Sequence, residues 1–316
     1  MSFVRSKVIK GHTYFYLQAS HRVGGSVVSQ HIKYLGKSGR FKGSSKELGT
    51  TQEYHSSSYD RLPEEKRKEI DLITKYKREI FKNKDDKHTI RALGRLAKKG
   101  IDTKTYVYNK ETGEYIPERK ALHDKIIKEM TDKPSAVAKK DEKPVVIMLG
   151  GSPASGKSEV VKRLIPNPEK YVDIDNDSIK EKLPEYRGIN ASYLHEEASD
   201  VYGAVKEKAI RDRKNIILDA TLKNTDKAIA DIKKFQKLGY TVKVYGTNIS
   251  PEINVESGTK RFQKKGRYVP IEYIVQNTPK INKSVLDVSK YADESKIYDT
   301  TIKGRENAKV IYSKGS

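Results

Sequence analysis

The chain of 316 residues contains no cysteine. That absence excludes disulfides, cysteine-ligated zinc and thiol catalysis, and it fits a reducing compartment. No apolar run approaches the roughly 20 residues that a membrane-spanning helix needs, so no membrane partner is expected. The opening MSFVRSKVIKGHTY lacks the apolar core of a secretory signal, and the expected location is cytoplasmic. No long internal repeat is evident. Acidic residues are outnumbered, 42 against 64 basic ones, for a formal net charge of +22. An excess of this size favours polyanionic partners, although a solvated, lysine-rich surface accounts for it equally. It is also uneven: residues 1–143 hold 33 basic and 19 acidic side chains, the remainder 31 and 23. Any nucleic-acid contact is therefore expected within residues 1–130.

Residues 1–37 alternate β-branched and aromatic residues with polar ones around Lys10-Gly11-His12 and Gly24-Gly25, which predicts a three-stranded meander. This stretch resembles the short meanders ending in YLGK at the N-termini of some transposases. The resemblance implies nucleic-acid binding, and a ribbon that docks a partner protein fits as well. Residues 38–60 are rich in Gly and Ser and read as a linker. Residues 61–130 form a basic, helical region, with helical patterns over 62–82 and 88–99. In the first of these, Ile70, Leu72, Ile73, Tyr76 and Ile80 form an apolar stripe. An extended piece, a turn and a further helix follow. Residues 131–143 (TDKPSAVAKKDEK) read as a second polar linker.

From residue 144 onward short apolar strands alternate with helices: VVIML, YVDID, NIILD and TVKVYG. Ser192 is positioned to cap the helix that carries Leu194, Ala198, Val201, Val205 and Ala209. A closing hairpin is expected around Lys303–Asn307. The fold class implied for 144–316 is α/β, a mostly parallel sheet with helices on both faces.

Chemistry concentrates at LGGSPASGKSEV. Gly151, Gly156, Lys157 and Ser158 occupy the defined positions of G-x-x-x-x-G-K-[ST], with an apolar strand before and a helix after. In such a loop the backbone amides of Gly151, Ser152, Pro153, Ala154, Ser155 and Gly156 (proline supplying shape only) wrap phosphate oxygens. Lys157 reaches the β- and γ-phosphates, and Ser158 offers its hydroxyl to Mg²⁺. ATP and Mg²⁺ are thus the expected cofactors. Four further groups follow. In YVDIDNDSI, the strand is expected to end near Asp175, leaving Asp177 on a loop at the carboxyl edge, where it either serves as a base towards an acceptor hydroxyl or caps the next helix. Asp219 ends the strand IILD, two residues before Thr221; both face substrate or metal, or merely shape a turn. Arg261 on a helix and Arg267 on the loop after it are placed to clamp a transferring phosphoryl group, unless they are ordinary surface charges. Glu197, at the border of its helix's apolar stripe, is either a pocket carboxylate or a surface acid, and the pattern favours the surface.

The order of these pieces resembles the zeta-toxin kinase family. The loop type GG-x-P-x-S-G-K-[ST] is matched by GGSPASGKS, IDND by Ile174–Asp177, the acid-small-Thr turn by Asp219–Thr221, and RF…GRYVP by Arg261–Pro270. With the helical lead-in ETGEYIPERKALHDKII, the likeness spans about residues 112–316. It implies a P-loop kinase fold and transfer of the ATP γ-phosphate to a hydroxyl, notably the 3′-hydroxyl of the sugar in UDP-N-acetylglucosamine. Asp177 would be the base, Lys157, Arg261 and Arg267 would neutralise phosphate charge, and Asp219 and Thr221 would line the substrate or metal side. A helix carboxylate contacts the acceptor sugar in the family; Glu197 is the nearest acid of that kind, while an ungapped count back from Asp219 reaches Gly203. No antitoxin segment is visible, so an antitoxin partner would come from another chain. Two other functions remain open on the residues alone: a polynucleotide 5′-hydroxyl kinase, and a nucleic-acid-binding mobile-element protein whose nucleotide site is a switch.

Overall fold

The computed structural model describes residues 2–9, 12–23, 26–37, 63–80, 84–160, 164–301 and 308–315. The linker expected at 38–60 lies outside them, as do the turn residues Gly24-Gly25 and Lys303–Asn307. The chain divides into two compact units, Met1–Lys68 and Glu69–Ser316.

In the first unit, β1 (Ser2–Ile9), β2 (His12–Val23) and β3 (Ser26–Lys37) form an antiparallel sheet in the order β1-β2-β3. Ile9 pairs with His12 and Val23 with Ser26, the antiparallel arrangement that the meander pattern predicts.

The second unit takes in most of α1 (Glu64–Ile80), then α2 (Lys84–Lys98), α3 (Lys104–Val107), a two-rung hairpin of β4 (Tyr108–Asn109) with β5 (Glu114–Tyr115), and α4 (Pro117–Thr131). Pro117 opens α4 at a position where its missing N–H costs nothing. The segment after α4 is not the free polar linker that its composition suggests. Pro134–Ala136 form a 3-10 turn, Ala136 is fully buried, and its carbonyl accepts from the Asn215 amide at 2.7 Å. The Lys214 ammonium donates to the Thr131 and Lys133 carbonyls. Lys139 to Lys143 give the stretch its polarity, while the turn ahead of them is tied to the sheet.

Six strands then build the main sheet in the order β11-β10-β9-β6-β8-β7. They are β6 (Val145–Gly150), β7 (Val172–Asp175), β8 (Ile216–Asp219), β9 (Thr241–Asn248), β10 (Glu294–Asp299) and β11 (Lys309–Lys314). All neighbours run parallel except β11, which closes the expected hairpin against β10. Val146, Ile147, Met148 and Leu149 are all buried, because both faces of a central parallel strand are covered. Even-numbered residues of β6 join Ile174, Leu218 and Val244 in the larger core, with α7 (His195–Arg211), α8 (Thr225–Lys237) and α10 (Ile271–Ser289) against them. Ile147 and Leu149 join Ile217 and Tyr245 in a smaller cluster on the opposite face. The connecting helices α5 (Lys157–Val160), α6 (Asn176–Glu181) and α9 (Pro251–Lys265) all begin at or beyond the carboxyl edge of the sheet.

The helix α7 starts at His195 after a 3-10 turn over Ala191–Leu194, with Leu194 at the cap. Ser192 lies inside that turn and is not the cap. Leu194 is itself fully buried, so core packing rather than a polar cap decides where the helix begins.

Gly150 and Gly246 are register partners on β6 and β9. A Cβ on Gly246 would lie 2.6 Å from Val285 Cγ1 and 3.0 Å from the Gly150 carbonyl oxygen. The pair thus lets α10 press onto the sheet just where the phosphate loop leaves it. Gly246→Val should cost about 1–3 kcal/mol through overpacking, read as a lower urea midpoint at unchanged m-value.

Candidate active site

The loop between β6 and α5 owes its shape to polar contacts made beneath it. Ser152 and Ser155 are buried at 0% and 1% exposure. The Ser152 hydroxyl meets Thr278 Oγ1 at 3.1 Å and accepts from Asn254 Nδ2 at 2.7 Å, and the Ser155 hydroxyl meets Thr247 Oγ1 at 2.6 Å. Thr300 donates to the Ser155 carbonyl at 2.9 Å. These two serine side chains are therefore loop anchors, and the loop's recognition capacity rests with its backbone. Gly151 has φ +148°, and a Cβ there would collide with Thr247 Oγ1. Gly156 and Ala154 also have positive φ, +88° and +63°. Gly156, Lys157 and Ser158 open α5, where first-turn amides have no intrahelical partner. Ser158 is exposed at that turn. Lys157 lies part-buried, its ammonium 2.9 Å from the Gly151 carbonyl and 3.6 Å from Asp219 Oδ1.

Asp219 and Asp175 end neighbouring strands in register. Burial pushes the Asp219 carboxyl above the usual range, opposed by Lys157 and reinforced by Asp175 and Asp173. Asp175 is the cap of α6, accepting from the amides of Asp177 and Ser178 at 3.0 and 3.2 Å. No loop follows the strand: the helix begins at Asn176, and capping by Asp177 gives way to capping by Asp175. The reason is that Asp175 is the last extended residue, so its side chain alone can fold back on the first amides. Asp177 instead sits in the first turn and forms ion pairs with Arg267 and, at 3.3 Å, with Lys180. Lys180 is 7% exposed, and burial pushes its ammonium down to about 8 against the pull of Asp175.

Arg261 is in α9 and Arg267 just past its end, as expected. Ser250 caps α9 at its start, and Gly266, at φ +68°, ends it by donating to the Phe262 carbonyl at 2.7 Å. Burial pushes both guanidinium groups below their ordinary range. Asp175, Tyr186 and Asp219 oppose the effect at Arg261, and Asp175 does so at Arg267. Partly desolvated cations of this kind gain from a bound anion. The segment after α6 closes up to the same turn, since a Cβ on Gly188 would lie 2.9 Å from the Gly266 carbonyl. Thr221 shares a side-chain hydrogen bond with Tyr273, and Leu222 beside it is buried at φ +52°.

Lys157, Asp175, Asp177, Asp219, Arg261 and Arg267 thus converge at one sheet edge. Glu197 does not join them, and its expected place on the helix surface is corrected. The residue has 0% exposure. Its carboxylate accepts from Arg119 Nε, from Arg119 Nη2 at 3.0 Å and lies 2.8 Å from His123 Nε2. Arg119 also grips Glu185 in a two-pronged pair at 3.1 and 2.7 Å. A sugar cannot reach Glu197 without displacing these partners, so the assignment to substrate is withdrawn. Sequence reasoning missed Arg119, His123 and Lys180. The first two are one helical turn apart in α4, a same-face spacing that could have paired them with an acid.

Burial alone would raise the Glu197 carboxyl, but the hydrogen bonds from His123 and Arg119 outweigh it and lower it to about 2 from an ordinary 4.5. A depressed acid stabilises the fold fully above its unfolded value, and the contribution fades as pH falls from 4.5 towards 2. Acid titration monitored by circular dichroism should therefore show a stability loss in that window that Glu197→Gln flattens. Arg119→Met should cost about 3–5 kcal/mol in urea unfolding, because it leaves Glu197 charged and unpaired in the interior.

A search of curated proteins finds no match to this chain. Among solved structures, that of the AvrRxo1-ORF1:-ORF2 complex with ATP is 15% identical, with a TM-score of 0.50 over 64% of this chain and 68% of that one. A structure from work on the PezAT chromosomal toxin–antitoxin system of Streptococcus pneumoniae is 20% identical, with a TM-score of 0.46 over 63% and 83%. At this level of identity the first similarity bears on the fold alone, a P-loop kinase-type sheet. The family model described as Zeta toxin matches residues 128–316, more than half of the chain. The chain therefore belongs to the zeta-toxin family, and is an ATP-dependent, kinase-type phosphotransferase.

Proposed function

We propose that the chain transfers the γ-phosphate of ATP to a hydroxyl of a nucleotide sugar such as UDP-N-acetylglucosamine. The observation that carries this reading is the pairing of Asp177 with Arg267 and Lys180 at the sheet edge, one strand over from the Lys157–Asp219 pair. Of the three edge carboxylates, Asp175 is committed to helix amides and Asp219 is paired with the loop lysine. Asp177 is held by two cationic side chains, and an incoming phosphoryl group competes for one of them, Arg267.

In the reaction the acceptor O–H gives its proton to the Asp177 carboxylate as its oxygen bonds to Pγ. The bond from Pγ to the β,γ-bridging oxygen breaks, and ADP leaves with that electron pair. Lys157, the loop amides, Arg261 and Arg267 stabilise the charge on the oxygens around Pγ. Ser158, exposed at the first turn of α5, would hold Mg²⁺, which supplies further neutralisation of the phosphates when bound. Thr221, oriented by Tyr273, lines the acceptor side. Membership of a toxin family supports an antitoxin protein, from another chain, as the expected partner.

A second acceptor class, a polynucleotide 5′-hydroxyl, is favoured by one observation, the concentration of basic excess in residues 1–143. The two are separated by incubating the chain with labelled ATP and either UDP-N-acetylglucosamine or a 5′-hydroxyl oligonucleotide. Phosphorylated nucleotide sugar is the expected product, and label on the oligonucleotide alone would replace the proposal with the second reading. Asp177→Asn should lower turnover about 10²–10⁴-fold and Lys157→Ala about 10²–10³-fold. Transfer that survives both changes would refute this assignment of the site.

A further inference from the structure

Both arginines of the site are chain neighbours of aromatic residues that face the other way. Phe262 follows Arg261, and Tyr268 follows Arg267. The two rings are 8% exposed each and meet edge to face, with centroids 5.6 Å apart. They belong to a hydrophobic cluster, separate from both faces of the sheet, which also contains Val255 of α9 and Ile271, Ile274 and Val275 of α10. What completes this cluster is α1. Tyr76 and Ile80 are buried in it at 6% and 5% exposure, with Leu72 and Ile73 packed at its margin. A polar rim holds the same contact: Lys77 pairs with Glu272, and Gln276 Nε2 donates to Glu69 Oε1 at 3.0 Å.

This helix lies outside the residues 128–316 that match the family model. We infer that α1, which precedes the family-matched residues, is a brace that holds the arginine-bearing turn in register with the phosphate loop, with Tyr76 and Ile80 as positioning residues. The inference rests on the kinase reading of the site. Its physical basis is that neither guanidinium can set its own position. Each reaches the site from a backbone whose opposite side packs into this cluster. A buried ring such as Tyr76 fills space that α9 and the turn after it would otherwise move into. A misplacement of about 1 Å at a catalytic group costs up to about 10²-fold in rate, so the brace acts on turnover more than on nucleotide binding, which the loop amides and Lys157 supply.

The test is Tyr76→Ala in the full chain, measured for kcat, for the KM of ATP and for backbone hydrogen exchange of residues 258–275. Expected are a kcat lowered about 10–100-fold with the KM of ATP changed less than about 3-fold, and faster exchange at 258–275. Tyr76→Phe, which keeps the ring, should restore both. Phe235→Ala, which removes a buried ring of α8 in a separate core cluster, controls for general loss of stability and should leave kcat within about 3-fold at temperatures where the variant stays folded. Unchanged kcat and unchanged exchange in Tyr76→Ala would overturn the brace. So would an equal loss of kcat in Phe235→Ala. If the wild-type chain transfers phosphate to no acceptor, the kinase reading fails by itself, while the exchange of 258–275 still reports whether Tyr76 anchors the turn.

Discussion

The parallel register between Val146–Leu149 and Ile216–Asp219 is the constraint from which the rest of the site follows. It sets Leu149 opposite Asp219, so the loop that begins two residues later rises beside a carboxylate, and Lys157 is partnered by that carboxylate. The next strand over repeats the relation, with Asp175 opposite Asp219. Parallel strands bring all their carboxyl ends to one edge, and the amino ends of the following helices to the same place. Charged groups from far apart in the chain therefore meet without any local sequence signal to say so.

Charge is handled in two ways in this molecule. At the sheet edge cations and acids crowd together, and burial depresses Lys180, Arg261 and Arg267. That is an arrangement suited to a polyanionic ligand. Around Glu197 the account closes internally: one carboxylate, one bidentate arginine shared with Glu185, and one histidine. Such a network stabilises little relative to an apolar core, but it is costly to break. It ties α4, which lies mostly before the family-matched segment, to the helix and loop that border the site.

The phosphate loop itself shows how serines in a motif divide their work. Ser152 and Ser155 satisfy buried polar groups of α9, α10 and β9 through their hydroxyls, which ties the loop to the same helices that carry the arginines. Ser158, one helical turn on, remains exposed. The positions are alike in residue type and differ only in which side of the backbone they face.

Local pattern was enough to determine the strands of the α/β unit, the meander, the phosphate loop and the candidates Lys157, Asp177, Asp219, Arg261 and Arg267. Strand periodicity, glycine spacing and short motifs are set by interactions within a few residues. What only the tertiary structure decided depends on contacts across long stretches of chain. Asp175 rather than Asp177 caps α6, because the helix begins at Asn176, directly after the strand, with no loop between them. Glu197 turns inward because Arg119, 78 residues before it, offers a buried counter-charge. The stripe of α1 was legible as apolar, but its target was not, since an amphipathic helix carries no address. That target is the cluster around Phe262 and Tyr268, the residues beside Arg261 and Arg267.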